Sequence, residues 1–256
     1  MPAIFVAHGS PLLRDDATWT GELRAWAEAM PKPRSILVLS AHWVTEKVSL
    51  GSSLLMPLNH DFTGLPKQYS DVKYSPSFAQ DLQKRVHELL DPAGTVDEVA
   101  AHGLDHGVYV PLVAMYPAAD VPVLQMSVPG LAIEPLVELG KRLAPLRDEG
   151  VLVMASGFLT HNPKAVSYRK GEAPPAWARD FDAWARDALE KRDVAALARF
   201  RQKAPGVKMA LPTVEHFVPV AVALGASIER QEPVAFPITG WAYGCMSKRS
   251  VQFGCP

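Results

Sequence analysis

Four short runs limit what this chain can become: "AIFVA" at Ala3–Ala7, "SILVLS" at Ser35–Ser40, "VPVLQMSV" at Val121–Val128 and "GVLVMASG" at Gly150–Gly157. Each is apolar almost without interruption and too short for a helix of ordinary length. A strand with one wet face alternates apolar and polar side chains; a strand that is apolar throughout is covered on both faces. Amphipathic stretches of helical period lie between the runs. Ala17–Met30 is one, stopped by Pro31 and Pro33. Ser75–Leu90 is a second: Ser75 suits the cap, Pro76 the first turn, and Phe78, Leu82, Val86 and Leu89 share a face. Ile133–Leu146, Pro175–Asp193 and Thr213–Gly225 complete the set. Strands alternating with helices predict an α/β fold, with a largely parallel sheet covered by helices on both faces.

The tail, Ser227 to Phe253, reads as strands and turns, and Ser53–Pro66, rich in turn residues, as the longest loop. No composition break or repeat divides the chain, so one domain over 1–256 is expected. The 26 basic and 27 acidic residues leave no surplus to neutralise phosphates, which argues against nucleic acid as a partner. No stretch approaches the roughly 18 consecutive apolar residues of a membrane helix. The N-terminus lacks the basic and apolar regions of a secretory signal. Cys245 and Cys255 have no metal or redox spacing. These features together predict a cytoplasmic protein.

Two of the apolar runs end alike. Ala3–Ala7 leads into His8, and Ser35–Ser40 is followed by His42. His161 lies shortly past the Gly150–Gly157 run, in "ASGFLTHN". Ligands of open parallel sheets bind beyond the carboxyl ends of the strands, so these three histidines are expected to meet at one edge. His216, in "LPTVEHFVP", follows Thr213; with Thr213 as cap it falls in a first helical turn. Read singly, each is either a hydrogen-bonded structural residue or a ligand; as a group they suggest a metal site. His106 stands in "HGLDHG", where Gly103 and Gly107 allow the backbone to bring its ring near a ligand. It is either an acid or base on substrate or an exposed turn residue. His87, among Lys84, Arg85 and Glu88, reads as part of a solvated face.

Six stretches, in order along the chain, carry a resemblance: "HGSP" at His8–Pro11, "SAHW" at Ser40–Trp43, "GLDHG" at Gly103–Gly107, "PLVAMYP" at Pro111–Pro117, "ASGFLTHN" at Ala155–Asn162 and "TVEHFVP" at Thr213–Pro219. Together they resemble the class III extradiol ring-cleavage dioxygenases, in the branch of the 4,5-DOPA extradiol dioxygenases. The resemblance implies a three-layer α/β/α sandwich and one mononuclear metal. It implies His8, His42 and His216 as metal ligands, the last supplied by a helix. His161 takes the position of either a further ligand, in zinc-occupied forms, or an acid-base group. His106 becomes the substrate-side histidine. Two places depart from the family pattern near the expected substrate: His102 stands where arginine is expected, and Val108 and Tyr109 where tryptophan is common. Glu215 and His216 are adjacent and point about 100° apart on a helix, so one of them faces the metal; His216 is the expected one.

The implied reaction opens a catechol ring with dioxygen. Fe(II) with three protein ligands leaves positions for both reactants, whereas Zn(II) binds the same nitrogens without redox chemistry. His161 and His106 suit the proton transfers. Trp43, Phe62 and Tyr243 are candidates for the walls around a planar ring, the alternative for each being core or loop packing. Two other functions are compatible with these residues: a zinc hydrolase that activates water, and a non-enzymatic metal- or peptide-binding protein of the Memo-like kind. Oxygen uptake distinguishes the first reading from both.

Overall fold

The computed structural model describes residues 1–51, 57–91, 95–169 and 171–255. Among the described residues there are ten strands: β1 (Ala3–Ala7), β2 (Ser35–Thr45), β3 (Ser49–Gly51), β4 (Asp97–Val99), β5 (Val123–Pro129), β6 (Val151–Gly157), β7 (Val234–Ala235), β8 (Trp241–Ala242), β9 (Met246–Ser247) and β10 (Val251–Phe253). Eight form one sheet in the order β4-β3-β5-β2-β6-β1-β10-β7, and β8 and β9 pair separately. The four apolar runs are its centre, β5-β2-β6-β1, all parallel. β3 and β10 join antiparallel on either side, which makes the sheet mixed.

Alternation along the central strands divides the core into two halves, one on each face of the sheet. Ala3, Phe5, Leu37, Leu39, Val153 and Ala155 face one layer, packed by the helices Gln80–Leu90, Ile133–Leu143, Ala176–Glu190 and Val220–Gly225. Ile4, Val6, Ile36, Val38, Leu152 and Met154 face the other, packed by Ala17–Ala29 and His106–Met115. This is the three-layer α/β/α sandwich expected.

Several boundaries differ from the expectation, each for a local reason. The helix expected from Ser75 begins at Gln80, and neither Ser75 nor Pro76 starts it. The Ala79 amide donates to Val123 and the Val123 amide to Ser77, so this stretch is held against β5. The helix from Ile133 breaks at Ala144, because Pro145 has no amide to continue it. The helix expected over Thr213–Gly225 is regular only from Val220. Residues 214–219 form turns ahead of it, where Pro219 offers no amide. Residues 53–56 of the expected long loop lie outside the described residues; Leu58 within it bridges Leu104.

Candidate metal and active site

The carboxyl ends of the parallel strands share one edge, and the histidines gather there. His8 directly follows β1, and its amide donates to the Gly157 carbonyl at the end of β6. His42 lies within β2, which runs on to Thr45 instead of ending at Ser40. Its pairing with β5 shifts register between Leu39 and Val44, the kind of irregularity that re-aims a side chain. His216 sits in the turns before the last helix. The Phe158 amide donates to its carbonyl at 2.8 Å. A Cβ on Gly157 would lie 2.0 Å from that oxygen, so glycine is required for this approach. His161 is tied by its amide to the Ala210 carbonyl. His106 is the first residue of its helix.

The rings are close together. Centroids of His8 and His42 are 5.1 Å apart, of His8 and His216 5.4 Å, and of His42 and His216 4.9 Å. His106 lies 3.9 Å from His42, and His161 stacks on His216 at 3.5 Å with the planes 11° apart. Ligand atoms fall into two sets, each within 4.8 Å: His8, His42 and His106, and His161, Glu215 and His216. Unmade hydrogen bonds separate the roles further. Both ring nitrogens of His8 are buried without a partner, as are Nε2 of His42, Nε2 of His216 and Nδ1 of His161. His106 instead places Nδ1 at 2.7 Å from Asp61, and His216 Nδ1 lies 3.1 Å from Glu215.

Burial lowers the affinity of His8, His42, His161 and His216 for protons, and repulsion from neighbouring histidines adds to it. His42 is pushed down to about 2 and His161 to about 3, burial first and neighbouring histidines next. His8 and His216 are lowered for the same first reason, although Glu215 opposes the shift at His216. Burial alone would raise Asp61, but the hydrogen bond and charge of His106 outweigh it and bring Asp61 to about 2. The hydrogen bond with His216 brings Glu215 to about 2. The neutral form is thus favoured at His8, His42, His161 and His216, and carboxylates lie against three rings of the cluster, His42, His106 and His216. Buried nitrogen donors that are neutral and unpartnered suit a divalent metal, and carboxylates behind them suit the orientation of its ligands.

The rings open into a cavity of about 430 Å³. Tyr243 lines it, as expected, with its hydroxyl 2.8 Å from the Ser10 hydroxyl. The other two expected wall residues are not among those that line it. Trp43 does not line the cavity; it is buried and stacks on His102 at 3.7 Å, because adjacent strand residues face opposite ways. Phe62 is not a lining residue either, although its ring meets the edge of His106 at 6.1 Å. His102, Val108 and Tyr109 are likewise not among the lining residues; Val108 and Tyr109 are fully buried. Phe158 and Tyr168 line it instead. Phe158 lies 5.0 Å from His8, and Tyr168 is 73% exposed at the mouth, edge-on to Tyr243. The sequence reading missed both, along with Asp61, whose only signal was an acid in a glycine-bearing loop after His60.

A mixed sheet with a histidine cluster at its carboxyl edge is an α/β arrangement whose residues could hold a metal. The chain matches, over residues 2–254, a family described as the catalytic LigB subunit of aromatic ring-opening dioxygenase. It is 38% identical to a 4,5-DOPA dioxygenase extradiol of Beta vulgaris, covering 97% of this chain and 95% of the relative. It is 34% identical to the protein of that name in Escherichia coli K12, covering 99% and 95%. A crystal structure of an uncharacterised Escherichia coli K12 protein superposes with a TM-score of 0.84 at 32% identity, covering 99% of this chain and all of that one. The chain belongs to the LigB family and is an extradiol ring-opening dioxygenase, an oxidoreductase acting on a small aromatic molecule with dioxygen. That sets aside the non-enzymatic alternative.

Proposed function

We propose that the protein opens the ring of a catechol, in one catalytic domain, at a single Fe(II) held by His8, His42 and His216. The observation that carries this reading is the set of buried ring nitrogens without partners on those three residues, which line a cavity of about 430 Å³. Fe(II) bound there supplies the redox chemistry and the sites at which both reactants are held together. Zn(II) fits the same nitrogens and is expected to bind without supporting ring opening.

The remaining groups are this chain's own. His106 keeps Nδ1 on Asp61 and turns Nε2 to the substrate, where it accepts the proton of a catechol hydroxyl. His161, stacked on His216 and held neutral by burial, is the second proton carrier. Phe158 and Tyr243 give the ring apolar faces, and the Ser10–Tyr243 hydroxyl pair and Tyr168 offer side-chain hydroxyls on the wall. DOPA, in the names of the relatives, is the first catechol to test. The two cysteines, both unpaired, fit a reducing cytoplasm. Among the described residues no helix is long and apolar enough to cross a membrane.

The test is a catechol panel assayed for oxygen uptake after anaerobic Fe(II) loading. The reading expects uptake and a coloured ring-opened product with Fe(II), and none with Zn(II). An inert Fe(II) form across the panel, or zinc-dependent hydrolysis without oxygen, contradicts it.

A further inference from the structure

Asp61 lies outside every site motif in the sequence, yet both of its carboxylate oxygens are used in the site. Oδ1 accepts from the His106 amide at 3.1 Å and lies 2.7 Å from His106 Nδ1. Oδ2 lies 3.3 Å from His42 Nδ1. A carboxylate accepts the hydrogen bond of His106 Nδ1, and its charge beside His42 Nδ1 disfavours a bare lone pair there, so it selects the ring form with hydrogen on Nδ1 in both histidines. Nε2 is then the bare nitrogen in each. In His42 that Nε2 is the buried atom with no partner.

The segment that delivers Asp61 is clamped in place. The Leu104 amide donates to the Pro57 carbonyl at 2.8 Å, and the Asn59 amide to the Leu104 carbonyl at 2.7 Å. A Cβ on Gly103 would lie 2.1 Å from the Pro57 oxygen, so this pairing depends on glycine there. The same clamp that fixes residues 57–59 thus brings Asp61 against the first turn of the helix that His106 begins.

We infer that Asp61 is a positioning residue that sets the ring form of two histidines at once: the metal-side His42 and the substrate-side His106. The assignment of those two sides rests on the proposed function; the ring forms themselves do not. Asp61→Asn separates the two duties. An amide oxygen in the Oδ1 place still accepts from the His106 amide and Nδ1, whereas the amide NH₂ in the Oδ2 place replaces the negative charge beside His42 Nδ1 with a donor.

The experiment uses protein labelled with ¹⁵N-histidine and two-bond ¹⁵N–¹H spectra of the metal-free form, with His42→Gln and His106→Gln for assignment. Zn(II) affinity is measured alongside by competition with a chelating dye. The wild type should carry hydrogen on Nδ1 of both rings. Asp61→Ala should lose that preference at both and bind Zn(II) about 10- to 100-fold more weakly, the cost of losing a carboxylate behind a ligand. Asp61→Asn should keep the His106 form, lose the His42 form and weaken Zn(II) binding; it carries the test if the alanine variant does not fold. Unchanged ring forms, or unchanged Zn(II) affinity, overturn the inference, even if the variant melts at a lower temperature. None of these readouts involves catechol, so an inert Fe(II) enzyme would count against the dioxygenase proposal alone.

Discussion

Two buried polar residues lie at opposite edges of the same sheet. Arg147, near the amino ends of β1 and β6, is 2% exposed and fully paired. It donates to the carbonyls of Met1 at 2.7 Å, Ala226 at 2.9 Å and Phe253 at 3.4 Å, and to the Glu232 carboxylate. A nearby hollow of about 350 Å³ is lined in part by Arg85 and Glu149, which are paired with each other. His8, at the carboxyl edge, is 1% exposed and has no partner on either ring nitrogen. Burying a polar group without a hydrogen bond is costly, so the two edges answer to different demands. At the amino edge the chain meets its own needs and ties its two termini together. At the carboxyl edge it leaves acceptors open, and the family of the chain says for what.

The contrast is sharpest where proton carriers and structural groups are removed in turn. His161→Ala in the Fe(II) form should keep its iron through His8, His42 and His216 and lose about 10²-fold or more in kcat, the usual weight of an acid-base group. His106→Ala should behave alike, read by iron content against oxygen uptake. If either variant loses its iron, that histidine is a ligand. Arg147→Ala should do the opposite. It leaves Glu232 without its partner and should cost about 3–5 kcal/mol in denaturant unfolding, with metal content unchanged in the folded fraction.

A smaller effect comes from pH. Burial holds the folded-state values of His42 and His161 at about 2 and about 3, below the unfolded value of 6.5. The folded state therefore favours the neutral rings and the unfolded chain takes up the protons. This part of the stability is complete above about pH 6.5 and falls away as the pH drops toward 3. Metal-free protein should lose on the order of 1 kcal/mol per buried histidine by about pH 5.5, read from urea midpoints; His42→Gln should flatten the slope. The smallest effect is expected at the wall. Tyr243→Phe removes the hydrogen bond to Ser10 and should raise KM by roughly fivefold, about 1 kcal/mol, with kcat nearly unchanged.

The central sheet was readable in the sequence because strands buried on both faces need unbroken apolar runs, and β1, β2, β5 and β6 supply them. Strand-edge geometry then placed His8 directly. His42 was less legible: β2 continues past it, and a register shift, which no pattern of side chains announces, turns it into the site. His216 was found by motif, but the helix expected beneath it gives way to turns ahead of Pro219. Asp61 and Phe158 were missed because what matters about them is contact across 45 and 150 positions of chain respectively, with His106 and His8. Trp43, buried against His102, follows the packing alternative, since adjacent residues of a strand point apart and its neighbour His42 is the one turned into the site. Short strands such as β3 and the edge strand β4 left no pattern at all, since three residues define no period.

The central claim is that the open nitrogens of His8, His42 and His216 form one divalent-metal site. Anaerobic calorimetric titration of metal-free protein with Fe(II), in the wild type and in the three alanine variants, tests it most directly. The account predicts saturation at a single equivalent in the wild type, with a raised unfolding temperature, and loss of that binding in each variant. Full binding in any one of the three variants, or no binding in the wild type, would contradict it.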